Sequence, residues 1–180
     1  MQKGLCVLSW MALCIAALYL IFGQGWKDIT LGRLHRKAHE IFSDVDGITE
    51  ARIYLLMGTK GRETMETFPI RPYGRNHSIF GNVTLTGDRL SVFLNLWRSQ
   101  SPAQLRRALC HDPVYGFRLY RGGRLVSETS ICWHCNNYYV TAWPLRSSWY
   151  GFEADSETAQ ALLSFCDDLL PYARSQNNRK

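Results

Sequence analysis

The chain has 180 residues and a formal net charge of +6. About 155 residues follow an apolar N-terminal run, which is enough for one domain with a substantial core and too little for two large domains. No internal repeat or low-complexity stretch occurs, which excludes a repeat architecture. The positive charges are scattered, and no basic run in the predicted domain is longer than the pair Arg106-Arg107, so we expect a solvated basic surface and no nucleic-acid partner.

The N-terminus carries a predicted membrane segment. Residues 4–22 form an apolar run without a charge, and its length suits a helix that spans a bilayer. We therefore predict that residues 1–25 are an N-terminal membrane anchor or signal segment. The sequence Gly23-Gln24-Gly25 offers small residues that a signal peptidase accepts. A cleaved and secreted form is thus the alternative to the single-pass anchor that we favour.

Two signals conflict on the side of the membrane where the domain lies. Four basic residues between positions 27 and 37 follow the apolar run, while only Lys3 and the terminal amine precede it, and this count favours a cytoplasmic domain. A short N-terminal head before the first apolar segment usually accompanies export, and the downstream cysteines suit an oxidising compartment. We expect the domain on the extracytoplasmic, periplasmic side of the membrane.

Residues 26–173 are predicted to form a single α+β domain, followed by a polar tail over residues 174–180. Aromatic and β-branched runs between turn signals predict strands over residues 51–57, 63–70, 78–86, 115–121, 124–131, 138–143 and 148–152. Apolar residues at helical spacing predict helices over residues 31–45, 90–97 and 159–170, and a short helix ends near residue 109. The predicted fold class is therefore α+β, with a mostly antiparallel sheet and two or three packing helices, preceded by one N-terminal transmembrane or signal helix.

A two-residue turn organises the cysteine-rich part of the chain. Gly122 and Gly123 separate two strand-like runs, and a glycine pair allows the positive φ angles of a tight hairpin turn. With the turn fixed there, each residue on one strand lies opposite a residue on the other, and the two residue numbers always add up to the same value. The extended ladder then sets Cys110 opposite Cys135, and Cys132 lies nearby. The sequence predicts that these three cysteines gather at the open end of the hairpin.

The same register creates a conflict at Glu128. It sets Leu119 opposite Val126 and turns Glu128 towards an apolar face, where a carboxylate does not belong without a partner. Either a bulge shifts the register, or Glu128 is paired with Arg118 or Arg121. We prefer a structural salt bridge to a catalytic carboxylate.

Zinc binding is one interpretation of the cysteine cluster. The segment from Cys132 to Cys135 is a C-x-x-C motif, which supplies two thiolates to zinc, and further thiolate and imidazole ligands complete a tetrahedron. The candidate zinc ligands are Cys110, Cys132, Cys135, His111 and His134. Two adjacent residues rarely both bind one ion, so a fourth ligand is not assured. Zinc is the one cofactor that the sequence suggests.

The preferred interpretation is a disulfide that closes the open end of the hairpin. Cys110 would pair with Cys132 or Cys135, and the remaining thiol would be free or paired with Cys166. The sequence does not choose between these pairings. A bridge that closes a loop of this size contributes about 3 kcal/mol to stability.

A third interpretation makes the C-x-x-C motif a dithiol that exchanges disulfides, with His134 stabilising a thiolate. Dithiols of that kind open a helix, whereas two asparagines and a strand-like run follow Cys135 here. A hydrolytic or transfer activity of His111, Asp112 or Glu128 has no supporting motif. We therefore assign no catalytic residue, and the sequence leans towards a non-enzymatic role.

Two patterns resemble an uncharacterised family of small bacterial membrane-anchored or exported proteins. They are C-H-x-P-x-Y-G-x-R over residues 110–118 and E-T-S-I-C-W-x-C-N-N over residues 128–137. The resemblance implies that the cysteines and the hairpin belong together, and it carries no activity to transfer.

The sequence thus predicts a membrane-tethered, non-enzymatic interaction or accessory domain with a cysteine-stapled β-hairpin. Its partners would be the membrane, through residues 4–22, and an unidentified protein. The alternative is a thiol–disulfide redox or metal-dependent enzyme centred on Cys132 and Cys135.

Overall fold

The computed structural model describes residues 42, 44–56, 66–70, 74–101, 110–142 and 146–172. The chain divides into two compact units, Met1–Lys37 and Ala38–Lys180, and every described residue belongs to the second unit. The predicted membrane segment, most of the predicted helix over residues 31–45, the short helix that ends near residue 109 and the polar tail lie outside the described residues.

The described residues form eight strands and two complete helices. The strands are β1 (Glu50–Leu55), β2 (Thr67–Ile70), β3 (Arg75–Ser78), β4 (Gly81–Leu85), β5 (Tyr115–Arg121), β6 (Arg124–Cys132), β7 (Asn137–Ala142) and β8 (Arg146–Gly151). The helices are α1 (Gly87–Arg98) and α2 (Glu157–Leu169). The sequence did not predict β3, because its four residues are polar and follow a loop signal.

Six strands form one antiparallel sheet in the order β4-β1-β5-β6-β7-β8, and β2 pairs with β3 in a separate two-stranded sheet. Every described strand pair is antiparallel. Antiparallel strands need only short connections, which suits this succession of hairpins. The prediction of an α+β fold with a mostly antiparallel sheet and packing helices is confirmed, while the predicted N-terminal helix lies outside the described residues.

The β5–β6 hairpin turns at the predicted place. Gly122 and Gly123 have φ angles of +56° and +77°, which a residue with a Cβ rarely adopts. The strand residues that flank the turn pair as predicted, but a bulge between Leu119 and Tyr120 shifts the rest of the ladder by one residue. Leu119 therefore faces Ser127, and the predicted pairing of Leu119 with Val126 is wrong.

Both helices present an apolar face to one side of the sheet. On α1 the buried residues are Leu90, Phe93 and Trp97, at the predicted spacing. Helix α2 begins after Ser156, whose side-chain oxygen accepts a hydrogen bond from the backbone N–H of Ala159. Its buried residues are Ala159, Leu162, Leu163 and Cys166.

The two faces of the sheet carry two separate clusters, because successive side chains of a strand point to opposite faces. The helix-covered face holds the larger aromatic core, which includes Phe93, Trp97 and Phe117. On the other face lies a smaller cluster of Tyr54, Leu56, Phe68, Ile70 and Ile79, to which β2 and its neighbouring residues contribute. We call this second side of the sheet, on which β2 of the β2–β3 hairpin lies, the hairpin face.

Candidate functional site at the open end of the hairpin

A disulfide closes the open end of the β5–β6 hairpin. Cys110, before β5, is joined to Cys135, after β6, and their Cα atoms lie 5.9 Å apart. This is one of the two disulfide pairings that the sequence allowed for Cys110. Among the described cysteines, Cys132 and Cys166 remain as buried free thiols.

The side chain of Asn137 ties both ends of this disulfide to the sheet. Asn137 is the first residue of β7 and is completely buried. Its Nδ2 donates to the backbone carbonyl of Cys110 at 2.9 Å and to that of Cys135 at 3.2 Å. Its Oδ1 lies 2.5 Å from Nδ1 of His111. The amide thereby uses both of its donors and its acceptor.

His111 continues this chain of hydrogen bonds to β6. Its Nε2 lies 2.7 Å from Oγ of Ser130. Because both N–H groups of the Asn137 amide point at carbonyl oxygens, its Oδ1 is the atom that faces His111, and an oxygen can only accept there. We therefore assign the ring proton to Nδ1, which leaves Nε2 as an acceptor for the Ser130 hydroxyl proton.

The surroundings of His111 favour its neutral form. Burial lowers the pKa of the imidazole below its ordinary value, and this outweighs the hydrogen bond that the ring donates to Asn137, which raises it. Nearby Asp112 also raises the pKa and His77 lowers it. The ring lies perpendicular to that of Trp149, with ring centroids 4.8 Å apart.

Five cross-strand neighbours form a row on the hairpin face. The ladders pair Tyr54 with Gly116, Gly116 with Ser130, Ser130 with Tyr139, and Tyr139 with Trp149. The two small residues in the centre thus lie between aromatic side chains. The Phe68 ring lies over Gly116, where an added Cβ would come within 2.7 Å of the ring.

Glu128 lies on the same face and is paired. Its Oε2 accepts a hydrogen bond of 2.8 Å from Nε of Arg118, directly across the two strands. The guanidinium of Arg118 also lies 5.0 Å from the ring centroids of Tyr54 and Phe68. The bulge and the ion pair, predicted as alternatives, therefore occur together, while Arg121 pairs with Asp44.

Several of the predicted zinc ligands take part in other interactions in the described structure. Two of the three thiolates, those of Cys110 and Cys135, are consumed by the disulfide. His134 is exposed, and His111 is engaged with Asn137 and Ser130. Within the described ranges, no group of three His, Cys, Asp or Glu side chains is arranged to hold a metal ion. Zinc and the disulfide are alternative states of the same sulfurs, and zinc binding stays a prediction.

The geometry gives little support to a redox dithiol. Within the C-x-x-C motif, Cys135 pairs with Cys110 and not with Cys132. The Sγ of Cys132 accepts a hydrogen bond from the backbone N–H of Cys135 at 3.2 Å, yet burial raises the pKa of this thiol. A buried thiol with a raised pKa is a poor attacking group, because the thiolate is the nucleophile.

The sequence indicates no role for Ser130 or Asn137. A single serine and a single asparagine match no motif, and their importance depends on the strand pairings that place them beside His111. In the observed register, Cys132 pairs with Asn137, and both residues lie on the same face of the sheet as Ser130. This strand pairing is the signal that could have identified Ser130 and Asn137.

Comparisons of the chain with protein-family models, with curated proteins and with solved structures found no match. The resemblance to small bacterial anchored or exported proteins therefore stays a prediction. Across the described ranges, which begin at residue 42, no helix has the length and apolar character needed to cross a membrane.

Proposed function

We propose that the chain is a membrane-tethered accessory or interaction protein, anchored through residues 4–22, with its folded domain on the extracytoplasmic side. The observation that carries this proposal is the disulfide between Cys110 and Cys135. Disulfides persist in oxidising compartments and are rare in the cytosol. The role itself requires no chemistry from the domain.

The disulfide suits a domain that must stay folded outside the cell's chaperone-rich interior. It links the segment before β5 to the turn after β6, across a sequence separation of 25 residues. Closing such a loop restricts the unfolded chain and stabilises the fold by about 3 kcal/mol. Asn137 anchors the same two segments to β7.

A polar contact with the protein partner fits the described surface best. Val92 is the one large hydrophobic side chain among the described residues that is strongly exposed, at 49%. On the hairpin face, the exposed Arg52 instead lies against the half-buried Tyr120, with the guanidinium 4.8 Å from the ring centroid. Arginine and tyrosine are enriched in protein interfaces. We therefore place the partner contact at Arg52 and Tyr120.

The membrane side can be tested by protease treatment of bacterial spheroplasts that contain the full chain. The proposal predicts digestion of the domain in intact spheroplasts, with a cytoplasmic marker protein protected as the control. Protection of the domain until the membrane is lysed would place it in the cytoplasm and contradict the proposal.

The partner contact can be tested with a photoreactive amino acid at position 52 of the full chain in cells. Illumination should give a discrete cross-linked adduct from position 52. The matched control is position 92 on α1, which is exposed but lies on another surface. Equal adducts from both positions, or none from position 52, would count against this surface.

A further inference from the structure

The hydrogen-bonded chain from Asn137 through His111 to Ser130 has the polarity that activates a hydroxyl. Ser130 donates to Nε2 of His111, and Nδ1–H of the same ring donates to Oδ1 of Asn137. A hydroxyl becomes a nucleophile when a base lies within hydrogen-bond reach and a third group orients that base. The distances of 2.7 Å and 2.5 Å meet this condition.

We propose that Ser130, His111 and Asn137 form an acyl-transfer site that takes small esters. Ser130 is the nucleophile, His111 is the general base, and Asn137 is the positioning residue that fixes the tautomer and orientation of the imidazole. This proposal adds a reaction to the role described above, and it depends neither on the membrane side nor on the protein partner.

The charge state of His111 supports the assignment. An imidazole acts as a base only when it is neutral, and burial lowers the pKa of His111, so the neutral form dominates at neutral pH. Asn137 adds no negative charge that would hold a proton on the ring. Asp112, which raises the pKa, and His77, which lowers it, oppose each other.

The reaction balances without a metal or a redox partner. The Oγ–H bond of Ser130 breaks, its proton passes to Nε2 of His111, and Oγ bonds to the carbonyl carbon of the ester. The tetrahedral adduct then releases the alcohol, which takes the proton from Nε2. Water repeats the two steps on the acyl-serine, which releases a carboxylic acid and restores the hydroxyl.

The surroundings of Ser130 indicate the class of ester. Gly116 and Ser130 are flanked in their row by aromatic residues, and Trp149 also packs perpendicular to the His111 ring. This arrangement favours an apolar or aromatic group on the substrate. Ser130 is only 3% exposed, and the ring of Phe68 lies over the neighbouring Gly116. A substrate must therefore approach past His111, which is partly exposed, or displace the Phe68 ring.

The test uses a fluorophosphonate probe on the full chain in detergent micelles. Ser130 Oγ should bond to phosphorus as fluoride leaves, and peptide mapping should locate the adduct on Ser130. Ser130→Ala should abolish labelling, and His111→Gln should slow it about 100-fold, the usual contribution of a general base. Ser127→Ala is the matched control, because Ser127 is a buried serine of the same strand whose side chain points to the other face.

A second variant separates activity from folding. Phe68→Leu shortens the side chain over Gly116 while it keeps an apolar group there, so labelling of Ser130 should become several-fold faster. Circular dichroism and the Cys110–Cys135 linkage report that each variant is folded. The proposal is overturned if the folded wild-type chain takes up no probe at Ser130, or if His111→Gln labels as fast as the wild type.

Discussion

Arg118 on β5 and Glu128 on β6 face each other across the hairpin, with 2.8 Å between Nε and Oε2. The Glu128 side chain is 8% exposed and the Arg118 side chain 22%. This relationship exists because the bulge at Leu119 and Tyr120 moves Glu128 from the apolar face to the hairpin face. The bulge thereby converts an unfavourable buried carboxylate into a paired one.

Removal of one member of this ion pair should destabilise the domain. We expect Glu128→Gln to lower the free energy of unfolding by about 2 kcal/mol, because a hydrogen bond between charged groups is lost and Arg118 keeps its partly buried charge. Urea unfolding of the full chain in detergent measures the change. Joint replacement of Arg118 and Glu128 by Leu should cost less than the sum of the two single replacements, and strict additivity would contradict direct pairing.

The disulfide should account for the response of the protein to reductant. Cys110→Ser and Cys135→Ser should each lower the free energy of unfolding by about 3 kcal/mol, and the double variant should lose no more than either single variant, since one bond is lost in each case. Urea unfolding with and without reductant provides the measurement. When reduced, the wild-type protein should have the same free energy of unfolding as the variants. A wild-type protein whose free energy of unfolding does not change with reductant would contradict the disulfide.

Close packing over Gly116 should make that position intolerant of a side chain. Gly116→Ala places a Cβ 2.7 Å from two atoms of the Phe68 ring, so we expect a loss of about 1–3 kcal/mol from overpacking. Phe68→Leu should recover part of the loss in the double variant. Gly81→Ala is the control, because its Cβ meets only the end of the Leu170 side chain, at 3.3 Å. Thermal melting compares the variants, and equal shifts for both alanines would be the contrary result.

Stability should fall in mild acid because of His111. Its pKa in the folded state is lowered by burial, so the unfolded chain takes up a proton at a higher pH than the folded chain. The stabilising contribution is therefore complete above about pH 6.5 and is lost as the pH falls towards the folded-state pKa. Asp112 acts against this shift and His77 adds to it.

Urea unfolding over a pH series measures this effect, with His111→Gln as the comparison. The difference in unfolding free energy between wild type and variant should shrink as the pH falls from about 6.5 towards the folded-state pKa of His111. A difference that stays constant with pH would show that His111 keeps its ordinary pKa in the folded protein.

The hairpin and the meeting of two cysteines could be predicted because they follow from local rules. Gly122 and Gly123 fix the turn, and the antiparallel strands then bring the segments before β5 and after β6 together, even though the bulge shifts the ladder by one residue. The position of the bulge could not be predicted, because it depends on the ion pair that the Glu128 carboxylate forms with Arg118 on the neighbouring strand. The sequence indicated the conflict at Glu128 but not that a bulge and an ion pair resolve it together.

The hydrogen-bonded chain was harder to predict than the fold. The sequence suggests His111 as a zinc ligand because it directly follows Cys110. Its partners Ser130 and Asn137 lie 19 and 26 residues away and meet it only through tertiary pairing. Short polar side chains of this kind carry no periodic signal, so three-dimensional contacts were needed to identify them.

The most direct test of the disulfide-stapled domain is peptide mapping of the full chain, purified without reductant and alkylated under denaturing conditions, together with metal analysis. The predicted result is a Cys110 peptide linked to a Cys135 peptide, with Cys132 and Cys166 both alkylated. One zinc per chain, with Cys110, Cys132 and Cys135 all alkylated, would contradict the disulfide and remove the support for an extracytoplasmic domain.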